Sequence, residues 1–409
     1  MPDDRKKILF VVNTMGRAGA ERALCSMLTI FDRERFDVSV FSVINRGDLF
    51  SDLPKGVSVA NKKPAPKSVM NKRGLFSIGM TIIKRLFKRG YIFRNFSYLK
   101  KNYKAQKTAG KVQFDKLFWH CLACGAPRLD CEFDLAVAYL EGAATYYVAE
   151  HVKARHKASF VHVDYVKTGY VKELDRPFFE KMERIFCVSD AVRNGFVSEF
   201  PEFDGRTGFF HNVILKDEVI EKSLMPGGFD DGFDGIRLLT VGRLHHQKAY
   251  DIAIEAMAKL VSEGKHDLRW YILGEGAERK PLEELIEKHG LGGKFILLGA
   301  KNNPYPYLRQ CDYYIHATHF EGWSIAVGEA LILKKLIIAS DCAGNTEQIK
   351  HGVTGVIINL SAENIVSAIN NMLSDETLRM RLGEGLKNHS CDYTEDLNML
   401  YNMAEGSVT

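Results

Sequence analysis

The sequence has no apolar run of the roughly 18–20 residues needed to cross a bilayer, which argues against an integral membrane protein. From Leu53 to Phe114 it has no aspartate or glutamate, against 16 lysines and arginines. It has no G-x-G-x-x-G after its first strand pattern, which argues against dinucleotide binding. No Asp-x-Asp pair stands in the regions expected to line a site, so no acidic metal-binding motif is expected there. The eight cysteines are scattered. His120-Cys121-x2-Cys124-x6-Cys131 lacks the second closely spaced pair of a zinc motif, so these cysteines read as reduced, ordinary thiols and no metal ligand is assigned. Met1 to Lys7 is polar and runs straight into a strand pattern, so no signal peptide is expected and the chain is expected in the cytoplasm.

What is present is an ordinary globular composition: 46% hydrophobic and 26% charged residues over 409 positions, a length that favours two domains. Strand and helix patterns alternate in both halves. In the first half, the apolar runs Lys7–Asn13, Phe36–Val43, Asp134–Tyr139, Ala158–Tyr165 and Ile185–Asp190 read as buried parallel strands. In the second half, Ile236–Leu244, Arg269–Gly276, Phe295–Gly299, Asp312–Ala317, Leu336–Asp341 and Gly352–Ile358 do the same. Between the halves, Met225–Gly235 is rich in glycine and aspartate and is the clearest break in composition. The expected division is a first domain at 1–215, a linker at 216–235, a second domain at 236–390 and a terminal helix at 391–409. The basic segment, at about 53–114, is an insertion in the first domain.

Two loops of the second half carry candidate chemistry. The strand Ile236–Val241 ends in Gly242-Arg243, and Lys248 follows five residues on, before a helical pattern. Two cations on one loop above a helix start can neutralise a diphosphate without a metal. The strand pattern Asp312–Ala317 leads into Glu321-Gly322-Trp323-Ser324-Ile325 and a helix that carries Glu329. Amides at such a helix start suit an anion, and the carboxylates of Glu321 and Glu329 suit hydroxyls. The pair therefore fits a phosphorylated, polyhydroxylated ligand.

With its Gly-Arg…Lys loop and Glu-x7-Glu, this half resembles the retaining glycosyltransferases of family 4. The resemblance implies the GT-B fold, an α/β architecture of two Rossmann-like domains facing across a cleft, with the terminal helix crossing back to the first. It implies that Arg243 and Lys248 clamp the donor diphosphate beside Gly242. Glu321 would bind sugar hydroxyls, Gly322 to Ile325 would offer backbone amides, and Glu329 would hold the ribose. The backbone at Lys301, two residues past Gly299, would read the nucleobase edge. In the first half, Gly16 and Gly19 stand in a loop like the family's first glycine loop, and His162 matches its strand-end histidine beside the donor sugar. Trp323-Ser324 departs from the pair that many members carry, at the border of the sugar pocket. The implied activity is transfer of a sugar from a nucleotide-sugar, UDP-linked by family frequency, to a hydroxyl acceptor, with no cofactor or divalent metal required. A nucleotide-sugar epimerase of the same fold and a non-catalytic nucleotide-sugar-binding protein are the alternatives.

The basic segment points to a partner. Along 80–89, Ile82, Ile83, Leu86 and Phe87 fall on one side of a helix and Lys84, Arg85, Lys88 and Arg89 on the other, with aromatics following. That pattern predicts a helix lying on an anionic membrane surface; the alternative is a solvated basic helix whose apolar side joins the domain. Nucleic acid is not expected, since no recognition motif accompanies the charge. Membrane docking predicts a lipid-linked or glycan acceptor in cell-surface polysaccharide assembly, with the enzyme at the inner face of the plasma membrane.

Overall fold

The computed structural model describes residues 4–66, 72–87, 93, 95–108, 112, 114–166, 168, 170–264, 266–390 and 394–407. They form two compact units: one holds residues 1–213 and 393–409, the other 214–392.

The first unit is built on a seven-stranded parallel sheet. Its strands are β1 (Lys6–Val12), β2 (Phe36–Ser42), β3 (Ser58–Val59), β4 (Glu132–Ala138), β5 (Lys153–Val161), β6 (Arg184–Cys187) and β7 (Thr207–Phe209), in the order β3-β2-β1-β4-β5-β6-β7. Ile8 to Val12 are fully buried, as expected of a run covered on both faces. The order reverses between β1 and β4. There Asn13, just past β1, donates to Glu141 O at 2.9 Å and accepts from Ala144 N at 2.8 Å, tying the two strand ends together. Gly47 adopts φ 145° and packs on the loop after β1, where a Cβ would lie 2.0 Å from the Met15 carbonyl; only glycine fits. The terminal helix Leu397–Glu405 belongs to this unit. Its Tyr401 ring stacks on Phe36 at 4.9 Å, and its hydroxyl accepts from Asp32 N at 3.0 Å.

Helices Lys72–Phe87 and Phe96–Thr108 make up much of the basic insertion. Their orientation corrects the sequence reading. The Arg85 guanidinium turns inward and donates to Val43 O at 2.5 Å and Leu122 O at 3.0 Å, with its stem against Gly125. Burial pulls its pKa down to about 10. The apolar residues Met80, Ile83 and Phe87 are the exposed ones, at 38%, 48% and 68%. Two bare carbonyls and a glycine surface supplied the arginine with an interior site that periodicity cannot reveal. Lys84 is exposed as expected; Lys88 and Arg89 lie outside the described residues.

The second unit has a six-stranded parallel sheet: β8 (Ile236–Val241), β9 (Leu268–Leu273), β10 (Phe295–Gly299), β11 (Tyr313–His316), β12 (Leu336–Ser340) and β13 (Val356–Ile358), in the order β10-β9-β8-β11-β12-β13. Trp270 is fully buried and donates to Thr240 Oγ1 at 3.0 Å. Thr240 donates in turn to Ile315 O at 2.7 Å, so one polar chain joins β9, β8 and β11 inside an apolar core. The expected linker at 216–235 falls within this unit. Lys216–Ser223 is a helix whose Val219 packs on Tyr305 and Ile332. In the glycine-rich stretch, Asp231 binds Arg237 and Arg269, while Phe229 lies on Tyr271. Glycine and aspartate marked a loop correctly, but one carboxylate shared by two arginines fastens it down. Among the described residues no helix is long and apolar enough to cross a membrane.

Candidate active site

The strand order of the second sheet switches between β8 and β11, and ligands of such sheets bind at the carboxyl ends of the strands on either side of the switch. Both candidate loops leave from that point.

Gly242 and Arg243 follow β8. Gly242 N donates to Leu273 O, its carbonyl accepts from the Tyr250 hydroxyl at 2.9 Å, and the turn rests on Gly274, where a Cβ would lie 1.9 Å from Gly242 O. The Arg243 side chain is exposed and has no ion pair among the described residues. A single 3-10 turn, His246–Lys248, precedes the helix Tyr250–Glu263. Between them Ala249 is held at φ 44°, a left-handed conformation that a non-glycine residue adopts at a cost of about 1–3 kcal/mol. That turn aims Lys248 at the second loop.

The second loop is laced to the first. Gln247 O accepts from His319 N and from Thr318 Oγ1, both at 2.8 Å, and Gln247 Nε2 donates to Phe320 O at 2.8 Å. Lys248 Nζ contacts Glu321 Oε2. His316 Nε2 lies 3.4 Å from the same oxygen, and its Nδ1 lies 3.2 Å from the Tyr314 hydroxyl. Burial, and then the charge of Lys248, lower the His316 pKa, so the ring is neutral. Burial works against charge on Glu321 too, but Lys248 and His316 outweigh it and hold the carboxyl at about 2. The lysine and the acid, expected to serve phosphate and sugar separately, thus form a pair with each other. Gly344 supports this loop: a Cβ there would lie 2.6 Å from both Glu321 O and Gly322 O.

Ser324 caps the helix Ile325–Ile332, its Oγ accepting from Val327 N at 3.3 Å. Its own N–H, expected to face a ligand, is taken: Gln348 Oε1 accepts it at 2.9 Å while Gln348 Nε2 donates to Ser324 O. Trp323 is buried at 7% exposure. Glu329 lies one turn into the helix, buried, with Oε1 accepting from Tyr305 at 2.9 Å. The buried Tyr314 hydroxyl feels the charges of both Glu329 and Glu321, which places the two carboxylates in one neighbourhood. Lys301 follows β10; its ammonium lies 5.7 Å from the Tyr307 ring, and no contact joins it to Lys248, Glu321 or Glu329 among the described residues.

The remaining candidates belong to the first unit. Gly16 is buried, and Gly19 begins the helix Gly19–Ile30. His162 lies against Tyr139 and Phe160 with both ring nitrogens shielded, and burial lowers its pKa to about 4, so it is a neutral imidazole. Glu141 was missed. It is 5% exposed, accepts from the backbone N–H of His162 and of Val163, and is raised to about 7 by burial. Its signal was available: a lone acid directly after the strand pattern that ends at Tyr139. Gln247, Thr318 and Tyr305 had none, because each acts on a segment distant in sequence; His316 stands in the strand pattern only five residues before Glu321.

Residues 233–389 match the family model "Glycosyl transferases group 1". This stretch is a group 1 glycosyltransferase domain. The chain is 30% identical over 203 residues to N-acetylgalactosamine-N,N'-diacetylbacillosaminyl-diphospho-undecaprenol 4-alpha-N-acetylgalactosaminyltransferase of Campylobacter jejuni, covering 49% of this chain and 53% of that one. It is 24% identical over 156 residues to the lipopolysaccharide core biosynthesis glycosyltransferase LpsE of Rhizobium meliloti, covering 38% and 44%. The chain thus spans about half the length of the curated relatives it matches, or less. Among solved structures, Anabaena HepE in complex with UDP-glucose superposes with a TM-score of 0.62 at 15% identity, over 98% of this chain and 99% of that one. TarM gives 0.62 at 14%, over 98% of each. The fold is GT-B. In this domain the loop that carries Arg243 and Lys248 and the loop that carries Glu321, 73 residues apart at Lys248 and Glu321, are in direct contact.

Proposed function

We propose that this chain is a retaining, metal-independent glycosyltransferase of family 4. It moves a hexose from a nucleotide-sugar, UDP-linked, to a hydroxyl of a lipid-linked glycan in surface-polysaccharide assembly. The observation that carries the reading is the contact of Lys248, on the loop that also carries Arg243, with Glu321 on a separate loop, where the strand order of the group 1 domain switches. When the sugar–phosphate bond breaks, the leaving diphosphate gains negative charge. Arg243 and Lys248 offset that charge as it develops. Glu321, ionised and fixed by Lys248 and His316, accepts from sugar hydroxyls, and Glu329 from the ribose.

The UDP preference draws on the UDP-glucose complex of Anabaena HepE. The lipid acceptor draws on the diphospho-undecaprenol in the name of the Campylobacter relative. Docking on the inner face of an anionic plasma membrane has its own support in the insertion. Met80, Ile83 and Phe87 form an exposed stripe at helical spacing, Phe96 and Tyr103 are exposed on the following helix, and Lys84, Lys100, Lys104 and Lys107 are exposed on the same two helices.

The test is a thermal-shift screen of UDP-, GDP- and ADP-sugars, followed by transfer from radiolabelled donor to lipid-linked acceptors. A UDP-sugar should stabilise the protein and label the lipid. Binding with an intact donor under every acceptor would instead support a non-catalytic binding protein. Donor conversion without acceptor would support an epimerase.

A further inference from the structure

Among the described residues, one group of metal-ligating atoms stands together, and it lies in the first unit, apart from the sugar chemistry. His120 and Cys124 sit one turn apart on the helix Trp119–Cys124, and Glu150 comes from the end of the helix Ala143–His151. His120 Nε2 lies 3.7 Å from Cys124 Sγ and 3.2 Å from Glu150 Oε2, and all three ligand atoms fall within 4.8 Å of one another. Tetrahedral zinc with bonds of about 2.0–2.3 Å requires ligand–ligand separations of roughly 3.3–3.8 Å.

Two further features fit an ion. His120 Nδ1 faces the side-chain oxygen of Asn95 at 2.6 Å, and Asn95 is 4% exposed. An amide oxygen only accepts, so the Nδ1 proton is held there and Nε2 is turned to the cluster, as ligating histidines are usually oriented. Beside it, the His151 side chain is 8% exposed, and its buried Nε2 has no hydrogen-bond partner and lies 3.8 Å from the same Glu150 oxygen.

We propose that His120 Nε2, Cys124 Sγ and Glu150 Oε2 bind a zinc ion, with His151 Nε2 or a water molecule in the fourth position. A thiolate with imidazole and carboxylate selects zinc over magnesium or calcium. On binding, the thiol proton leaves to solvent. Of the sequence's incomplete cysteine pattern, Cys121 is buried and Cys131 is exposed, and neither stands in the cluster. The ion would tie together three segments: Asn95 before the helix Phe96–Thr108, the helix Trp119–Cys124 and the helix Ala143–His151. It would fasten the basic insertion to the sheet.

The test uses the full chain, stripped with chelator and dialysed against zinc or cobalt(II). One equivalent of zinc should be retained, and the cobalt form should show a thiolate-to-metal charge-transfer band in the near ultraviolet. Cys124→Ser should abolish the band, and His120→Gln should weaken zinc binding by at least about 10-fold. Cys131→Ser should change neither. Absence of stoichiometric zinc and of the band in the parent protein would overturn the proposal. So would a band that survives in Cys124→Ser, since the metal would then sit on other cysteines.

Discussion

Lys248 and Glu321 are in contact although 73 residues separate them, and their side chains are only 14% and 15% exposed. Lys248 helps hold the Glu321 carboxyl in its charged form before any ligand arrives. The loop that would grip phosphate and the loop that would grip sugar are therefore one assembly, braced by Gln247 and Thr318.

Arg243 and Lys248 should respond differently to removal. Arg243 is exposed and without an ion pair among the described residues, so Arg243→Ala should leave stability within about 0.5 kcal/mol. Lys248→Ala strips a half-shielded carboxylate of its partner and should lower the melting temperature as well. Both should cut sugar transfer by about 10²-fold or more, the scale for losing a preorganised charge partner in a reaction's transition state. Near-normal turnover in both would reject the clamp.

The Glu321 loop should be sensitive to a methyl group at Gly344. A Cβ there would lie 2.6 Å from the carbonyls of Glu321 and Gly322, and backbone oxygens cannot rotate away. Gly344→Ala should displace Glu321 and reduce kcat by at least about 10-fold, while circular dichroism remains that of the parent. Unchanged kcat would mean that the position of Glu321 is unimportant.

Glu141 gives a pH dependence with a definite sign. Its folded pKa is raised from 4.5 to about 7, so the folded state binds the extra proton between those values. Stability from this group is present below pH 4.5 and is lost as pH rises through 7, by about 3 kcal/mol in all. Glu141→Gln keeps an oxygen for the amides of His162 and Val163 and should remove this slope. Melting curves of parent and variant between pH 5 and 8 should converge toward the acid end; parallel curves would contradict the assignment.

Membrane docking should depend on the apolar stripe and not on Arg85. The double variant Ile83→Ser, Phe87→Ser should lose most flotation with anionic vesicles. Arg85→Ala should float like the parent but unfold more easily, since the carbonyls of Val43 and Leu122 lose their donor at a cost of about 1–3 kcal/mol. Failure of the parent to float at low salt would end the membrane reading.

Parallel strands buried on both faces announce themselves as unbroken β-branched runs, and β1, β8 and β12 were legible for that reason. A cation pair and a carboxylate pair at set spacings were legible too, because spacing along one loop or one helix is local. That 216–235 belongs to the second unit was not, because Asp231 finds Arg237 and Arg269 only once the second sheet has formed.

The amino-acid order by itself determined two α/β halves, the two candidate loops that carry Lys248 and Glu321, and a segment of unopposed positive charge. Only the tertiary structure decided that Lys248 is paired with Glu321, that Gln348 takes the Ser324 amide, that Arg85 faces inward, and that Glu150 joins His120 and Cys124. Each of these turns on a polar group removed from water. Such a group must find a partner wherever the fold brings one within about 3 Å, and that distance is set by packing between elements that local sequence does not encode.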